Sequence, residues 1–203
     1  MRRSKQLVAG CAAVGLLAAG CGDEPDGDDV NPQVNGTGAV NIEQERRLAA
    51  PEQATDAFTY DQAAAPVGAG LSVSAKSTGA GTLVEFDVDG LAPDRGYAVH
   101  LHAKPCGPTG DAAGPHFQNR LDPAATPEQP SKDPAYANPQ NEFWLDLRTN
   151  AEGDGESRTE VPFGFSDRVP ASVVVHAEEH TATEHGEAGQ AGGRVACMTV
   201  PFH

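Results

Sequence analysis

Residues 82–102 read TLVEFDVDGLAPDRGYAVHLH, and this stretch contains the pattern that decides the fold class. In its first part Val84, Phe86 and Val88 alternate with mostly acidic side chains, and the last part, GYAVHLH, alternates in the same way. A period of two places apolar side chains on one face of a β-strand. Between the two parts, residues 93–96 (PDRG) have the composition of a turn. The stretch therefore predicts two strands joined by a turn.

Short alternating or apolar segments continue on both sides of this stretch. The segments predicted as strands are residues 69–75, 82–88, 96–102, 141–148, 161–165, 172–176 and 194–200. Several short strands separated by turns predict an all-β sandwich or barrel. Two connections, residues 103–140 and 177–193, are much longer than hairpin loops. Because each follows a strand that carries histidine, we expect both long loops to be functional.

Composition excludes several classes of protein. The chain has 203 residues, with 29 Asp and Glu against 14 Lys and Arg and a net charge of −15. This length allows one main domain. No nucleic-acid partner is expected, because such binding needs a basic face. The single apolar run, at the N-terminus, argues against several membrane spans, and exposed apolar residues are too few to predict a dimer face.

The N-terminus has the features of an export signal. Residues 1–20 combine a basic start with a short apolar run, as secretory signal peptides do. Residues 17–21 (LAAGC) resemble a bacterial lipobox, which implies cleavage before Cys21 and a lipid on its sulfur. We therefore predict a protein of the bacterial cell envelope, anchored by lipid to the outer face of a membrane. Ordinary signal cleavage, with Cys21 incidental, is the alternative.

Residues 21–58 are predicted to form a disordered acidic tether, because acidic residues, Gly, Pro, Asn and Gln dominate them. The folded domain is expected to span residues 59–203. After export and lipidation, Cys106 and Cys197 would be the cysteines that remain, in a compartment that permits oxidation. A disulfide between them is therefore expected. It would close a loop of about 90 residues, which the chain-entropy estimate values at roughly 4–5 kcal/mol.

Histidines form the candidate metal site. His100 and His102 lie on one face of a predicted strand, about 6–7 Å apart at Cα. His176 ends another predicted strand, and His116 follows a tight Gly-Pro turn in a long loop. Imidazole ligands suit copper, zinc, iron or nickel, and an all-nitrogen tetragonal set favours Cu(II). The spacing alone does not name the metal.

Four blocks of sequence, HLHAKPC (100–106), AGPHF (113–117), VVVH (173–176) and AGGRVAC (191–197), resemble the copper/zinc superoxide dismutase family in order and spacing. The resemblance covers roughly residues 65–203. It implies an eight-stranded Greek-key β-barrel of the immunoglobulin-like sandwich or barrel type, with two long loops.

The resemblance also implies roles for individual residues. His100, His102 and His176 would be the terminal copper ligands, and His116 would be the histidine that bridges copper and zinc in the family. Arg194 would be the arginine that holds the superoxide anion beside copper. The two cysteines discussed above would form the family disulfide.

The chain departs from the family at the zinc site. The family's other zinc ligands are two histidines and an aspartate after the bridging histidine, but no histidine lies between His116 and His176 in this sequence. Carboxylates alone would hold zinc weakly, so zinc is not expected and we predict a copper-only member. A carboxylate should then accept the second ring N–H of His116 and orient it. Glu142 is the first candidate and Asp146 the second.

The loop over residues 177–193 also departs from the family, where a mixture of Lys and acids steers the anionic substrate. It contains no Lys or Arg and four acids, Glu178, Glu179, Glu184 and Glu187. We therefore expect slow turnover that rises with added salt. His180 and His185 are interpreted as solvated loop residues rather than additional copper-capturing ligands.

The resemblance implies a superoxide dismutase that converts superoxide to O₂ and H₂O₂ by alternate reduction and oxidation of one copper ion. His116 would leave copper on reduction, take up a proton and return it to the product. One alternative is a lipoprotein that buffers or delivers copper, with little dismutase activity. Another is an adhesion or scaffold module in which the histidines are relics. Arg194 favours the enzyme, because copper storage needs no anion site.

Overall fold

The computed structural model describes residues 39–126 and 128–202. The predicted signal peptide, Cys21 and the first part of the predicted tether lie outside these residues. Among the residues described, no helix has both the length and the apolar character needed to cross a membrane.

The described residues form ten strands and one short 3-10 helix, Gly110–Ala113. The strands are β1 (Val40–Arg47), β2 (Ala57–Thr59), β3 (Gly70–Thr78), β4 (Gly81–Asp89), β5 (Gly96–Tyr97), β6 (Val99–His102), β7 (Leu147–Arg148), β8 (Gly155–Val161), β9 (Ser172–His176) and β10 (Arg194–Thr199).

Eight of these strands form two four-stranded antiparallel sheets, with the orders β1-β3-β4-β8 and β2-β10-β9-β6. Strands β5 and β7 form a separate antiparallel pair. One hydrophobic core lies between the two large sheets and contains Val73 and Phe86 from the first and Leu101 and Val175 from the second. No ladder joins the two large sheets within the described ranges, so the barrel is open. The all-β prediction is confirmed.

The register of β3 and β4 confirms the predicted faces of residues 82–88. Val73 lies opposite Phe86, and Ala75 lies opposite Val84. These side chains and Val88 are buried, whereas the intervening positions of β4 are partly or fully exposed. Burial on one face only is what an alternating strand predicts for an antiparallel sheet with one solvated side.

Three predicted strands differ from the observed ones. The strand expected at residues 161–165 instead runs from Gly155 to Val161. The sequence did not predict these bounds, because the inward positions before Val161 are Gly, Ser and Thr and show no apolar alternation. Within residues 141–148, only Leu147–Arg148 forms a strand. The segment 96–102 divides at Ala98, whose N–H donates to the carbonyl of Glu178 in the following long loop.

The folded domain begins earlier than the sequence predicted. Strand β1 lies inside the predicted tether, yet it pairs with β3 along its whole length. Strand β2 also lies inside that range, except for its last residue, and it pairs with β10. Only Ile42 of β1 is buried, so this edge strand is held mainly by ladder hydrogen bonds that its polar composition does not reveal. The predicted boundary between residues 58 and 59 and the disorder predicted for these strands are therefore wrong.

The disulfide predicted between Cys106 and Cys197 is present, with 5.9 Å between the two Cα atoms. It ties the start of the long loop after β6 to the centre of β10. The N–H of Cys106 also donates to the hydroxyl of Thr199 on β10 at 3.0 Å. These contacts place the loop over the outer face of the second sheet.

Candidate metal centre

Strand register explains why three of the histidines meet. His100 lies opposite Val174 in the antiparallel pair of β6 and β9, and residues directly opposite share a face of the sheet. Because side chains alternate, His102 and His176 project from that same face. The face lies away from the core between the sheets, to which Leu101 and its neighbours project.

The fourth histidine comes from the long loop that covers this face. His116 forms an isolated antiparallel bridge with His102. Each of the four histidines offers one ring nitrogen to the cluster, and these four atoms lie within 4.8 Å of one another. The structure therefore brings together all four histidines that the sequence singled out, three of them buried and His116 partly exposed.

Backbone carbonyls orient two of the rings. His102 Nδ1 lies 2.9 Å from the carbonyl of Gly114, and His176 Nδ1 lies 3.4 Å from the carbonyl of Gly192. A carbonyl only accepts, so both Nδ1 atoms donate and both Nε2 atoms carry lone pairs when the rings are neutral. Those Nε2 atoms face each other at 3.2 Å. Two opposed lone pairs at this distance would be stabilised by a cation between them.

Glu142 orients His116, as the sequence predicted. Glu142 is 1% exposed, and its carboxylate lies 3.1 Å from His116 Nδ1. It also accepts from Gln118 Nε2 at 2.7 Å and from Trp144 Nε1 at 2.8 Å. Three donors thus compensate for the burial of this charge. His116 Nε2 is left for the cluster.

Asp146 is not the partner of His116, so the second candidate of the sequence analysis is corrected. Its carboxylate accepts from the N–H of Val99 at 3.2 Å and from the hydroxyl of Thr181 at 2.7 Å. Thr181 in turn lies 2.7 Å from His100 Nε2. Val99 is next to His100 on β6, so its hydrogen bond holds Asp146 near His100 rather than near His116.

Burial and mutual repulsion favour neutral imidazoles. Burial, with repulsion from His116 and the other histidines, lowers the pKa of His100 and of His102 well below the usual 6.5. Burial, with repulsion from His116 and Arg194, lowers the pKa of His176 to about 3. At neutral pH these three rings therefore have the free lone pairs that a metal ion requires.

The donor set fits a copper ion. His100 Nδ1 is buried and has no hydrogen-bond partner among the residues described. Leaving a buried polar atom unpaired costs free energy, which a metal bond at that atom would offset. An all-imidazole set suits copper, since zinc sites of the structural kind usually include thiolates or carboxylates.

Arg194 lies next to the cluster, at the start of β10 and opposite His176 in the strand register. Its guanidinium donates to the carbonyls of Gly110 and Gly114, each at 2.5 Å. Burial lowers the pKa of Arg194 below its usual value, but arginine stays protonated in proteins. The site therefore has a positive charge in a defined position.

A cavity of about 640 Å³ leads to the cluster. Its lining includes His116, His176 and Arg194, and Lys132 from the long loop adds a second cation. Among the described lining residues, none is one of the four glutamates of the 177–193 loop. The loop lines the cavity through Gly189, Gln190, Ala191 and Gly192, so its acidic side chains are not in the cavity wall. The expected slow turnover stays a prediction.

Two further histidines in the described part of the chain lie outside the cluster. His180 and His185 are exposed, as their interpretation as solvated loop residues requires. His203 is outside the described residues. Sequence reasoning missed Thr181, Gln118, Trp144 and Lys132, because none of them belongs to a periodic pattern or a ligand motif.

The sequence matches the family model described as copper/zinc superoxide dismutase (SODC) over residues 69–200. The chain belongs to the copper/zinc superoxide dismutase family. No curated protein matches the sequence.

Among solved structures, the chain is similar to a mutant of the SOD-like protein from Bacillus subtilis, with 16% identity and a TM-score of 0.42, over 64% of this chain and 88% of that one. It is also similar to the Cu/Zn superoxide dismutase from Brucella abortus, with 13% identity and a TM-score of 0.46, over 79% of this chain and 100% of that one.

Proposed function

We propose that this protein is a superoxide dismutase that holds one copper ion through His100, His102, His116 and His176. The observation that carries the proposal is the convergence of four ring nitrogens within 4.8 Å, in a cavity that Arg194 also lines. Bound there, copper would supply one-electron chemistry: one superoxide is oxidised to O₂, and a second is reduced and leaves as H₂O₂ with two protons.

We further propose that the site works without zinc. Glu142 engages His116 Nδ1, and Nε2 belongs to the cluster, so His116 has no nitrogen left for a second metal ion. The carboxylate performs the orienting role that a second metal would otherwise have, since hydrogen bonding of the remote ring nitrogen sets tautomer and direction.

The chain's own residues would bind the substrate and move a proton. Arg194 would bind the superoxide anion, because a guanidinium offers fixed donors and a permanent charge that lysine does not match in geometry. His116 would accept a proton at Nε2 and return it to the reduced product. Glu142 would keep the Nδ1 hydrogen in place during that exchange and so return the ring to the same position.

Export and lipid anchoring at Cys21 also remain part of the proposal. Residues 1–20 and the lipobox-like residues 17–21 support it. The disulfide between Cys106 and Cys197 supports an oxidising compartment. Removal of residues 1–20 takes away three basic residues and no acid, which changes the net charge from −15 to −18.

Copper buffering without efficient catalysis is the second candidate function. The observation that favours it is the pair of hydrogen bonds from Arg194 to the carbonyls of Gly110 and Gly114. These contacts fasten the loop after β6 to β10, so Arg194 has a structural use even in a protein that binds no anion.

One set of measurements separates these functions. The protein without residues 1–20 is exposed to copper and zinc together, its metal content is measured, and superoxide removal is compared with that of Arg194→Ala and His102→Ala. We expect one copper and no zinc per chain, with activity lost in both variants. Arg158→Ala, on the outer face of β8, is the matched control for loss of an arginine.

Copper bound with little superoxide removal would support the buffer. Failure of the wild-type protein to bind copper would refute both functions. Zinc bound beside copper would refute the copper-only assignment alone.

A further inference from the structure

Thr181 connects the acidic loop after β9 to the histidine cluster. Its side chain is buried, with the residue 4% exposed. Its hydroxyl oxygen lies 2.7 Å from His100 Nε2 and 2.7 Å from Asp146 Oδ1. Its backbone N–H donates to Asp146 Oδ2 at 2.6 Å. The backbone N–H and the hydroxyl of Thr181 therefore both bond to Asp146.

The chemistry of these groups sets the direction of each hydrogen bond. An ionised carboxylate only accepts, so the single hydroxyl hydrogen of Thr181 goes to Asp146. The hydroxyl oxygen then accepts from His100 Nε2, which must carry the ring hydrogen. His100 Nδ1 is left with a lone pair, and this is the atom that is buried with no partner among the described residues.

His100 differs from the other three histidines in this respect. Their remote nitrogens face acceptors only: the carbonyls of Gly114 and Gly192, and the Glu142 carboxylate. A threonine hydroxyl can donate as well as accept, and it would favour either tautomer if it were alone. Asp146 removes that freedom, because it takes the hydroxyl hydrogen.

We propose that Thr181 is a positioning residue for His100, which selects the Nε2–H tautomer and aims the Nδ1 lone pair into the metal cluster. The inference rests on the proposed copper site. The position of the loop over residues 177–193 then affects the metal centre, because Thr181 bonds to Asp146 through its backbone N–H and to the His100 ring through its hydroxyl.

The test compares Thr181→Val with Thr181→Ser. Valine keeps the shape of threonine but cannot bond to His100, whereas serine keeps the hydroxyl. Partners that orient metal-bound histidines typically contribute about 10-fold to 100-fold in metal affinity. We expect Thr181→Val to weaken Cu(II) binding by about that factor in a chelator competition and to change the Cu(II) EPR spectrum. Thr181→Ser should restore both to near wild type.

Thr149→Val is the matched control. Thr149 is a buried threonine whose hydroxyl donates to the carbonyl of Ala92 at 2.8 Å. Its loss should lower the melting temperature and leave copper affinity and the EPR spectrum unchanged. Thr181→Val with wild-type copper affinity and spectrum would overturn the inference, and so would a Thr181→Ser variant as impaired as Thr181→Val.

If Thr181→Val does not fold, the inference can be tested on the wild-type protein instead. Nitrogen-15 NMR of the copper-free wild type should show His100 protonated at Nε2 and unprotonated at Nδ1. The opposite tautomer would overturn the inference. Failure of the proposed function is distinguishable, because it would appear as absence of copper binding in the wild type, whatever the tautomer of His100.

Discussion

Glu142 accepts a hydrogen bond from His116 at 3.1 Å while the side chains of Gln118 and Trp144 donate to the same carboxylate. A buried carboxylate with three donors is held in one position and cannot swing away from the imidazole. The orientation of His116 therefore depends on a network within the chain, as the proposed site with a single copper ion requires.

Glu142→Gln should weaken copper binding and lower dismutation. The amide presents one acceptor and one donor where the network supplies three donors, so at least one contact is lost. We expect copper affinity to fall by about 10-fold or more. Chelator competition measures the affinity, and Glu156→Gln, an exposed acid on β8, is the control. An unchanged affinity in Glu142→Gln would show that His116 is oriented by other contacts.

Arg194→Lys should separate substrate binding from metal binding. Lysine keeps the charge but not the fork of donors, so the anion is held less well. A hydrogen bond to a charged group contributes roughly 1.5–3 kcal/mol, which corresponds to a loss of about 10-fold to 150-fold in kcat/KM. Copper content should stay at the wild-type value. A parallel loss of copper would instead assign Arg194 to the structure of the metal site.

Lys132→Ala should slow the reaction at low ionic strength. This exposed lysine lines the cavity that leads to the cluster, where it would attract an anionic substrate. We expect kcat/KM to fall by about twofold to fivefold and the difference to shrink as salt rises.

Lys76→Ala, an exposed lysine on β3 of the other sheet, is the control for Lys132→Ala and should have no effect. The wild-type rate as a function of salt tests the earlier expectation separately. A rate that rises with salt would mean that negative charge, including Asp122 and Glu142 of the cavity lining, outweighs Lys132 and Arg194.

The copper-free protein should lose stability as the pH falls from about 6.5 to 5. The folded pKa of His176 is about 3, below the ordinary 6.5 of the unfolded chain. In this window the unfolded state binds protons that the folded state does not, so acid favours unfolding. The expected loss is on the order of 2 kcal/mol for His176 between pH 6.5 and 5.

Thermal unfolding at several pH values measures this loss. His180→Gln, a change at an exposed histidine, should follow the wild-type curve, whereas His176→Gln should depend less on pH. A melting temperature that is constant between pH 7 and 5 would contradict the lowered pKa values.

Several features of the site could be predicted because they depend on local geometry. An alternating strand places His100 and His102 on one face whatever the rest of the fold does. Counting the cysteines left after export predicted the pair Cys106 and Cys197, and the structure contains that bond. The need of His116 for an acceptor predicted a carboxylate, and the resemblance to the family indicated Glu142, near the position of the family's zinc aspartate.

Other features could not be predicted for physical reasons. Strand β1 buries only Ile42, so hydropathy gives no signal for an edge strand that depends on ladder hydrogen bonds. Asp146 lies four residues after Glu142 and was the second candidate for the partner of His116. Its actual partners are set by contact with Val99 and Thr181, which come from other parts of the chain.

The amino-acid sequence by itself determined the strand faces and the cysteine pair, because alternation and residue count do not depend on how the strands pack. The resemblance of four sequence blocks to the family singled out four of the seven histidines. Only the tertiary structure decided which oxygen holds each imidazole and which charges line the cavity. Thr181 and His100 are 81 positions apart, and Thr181 and Asp146 are 35 apart. Contacts at such separations exist only after the loop over residues 177–193 has packed against the rest of the domain.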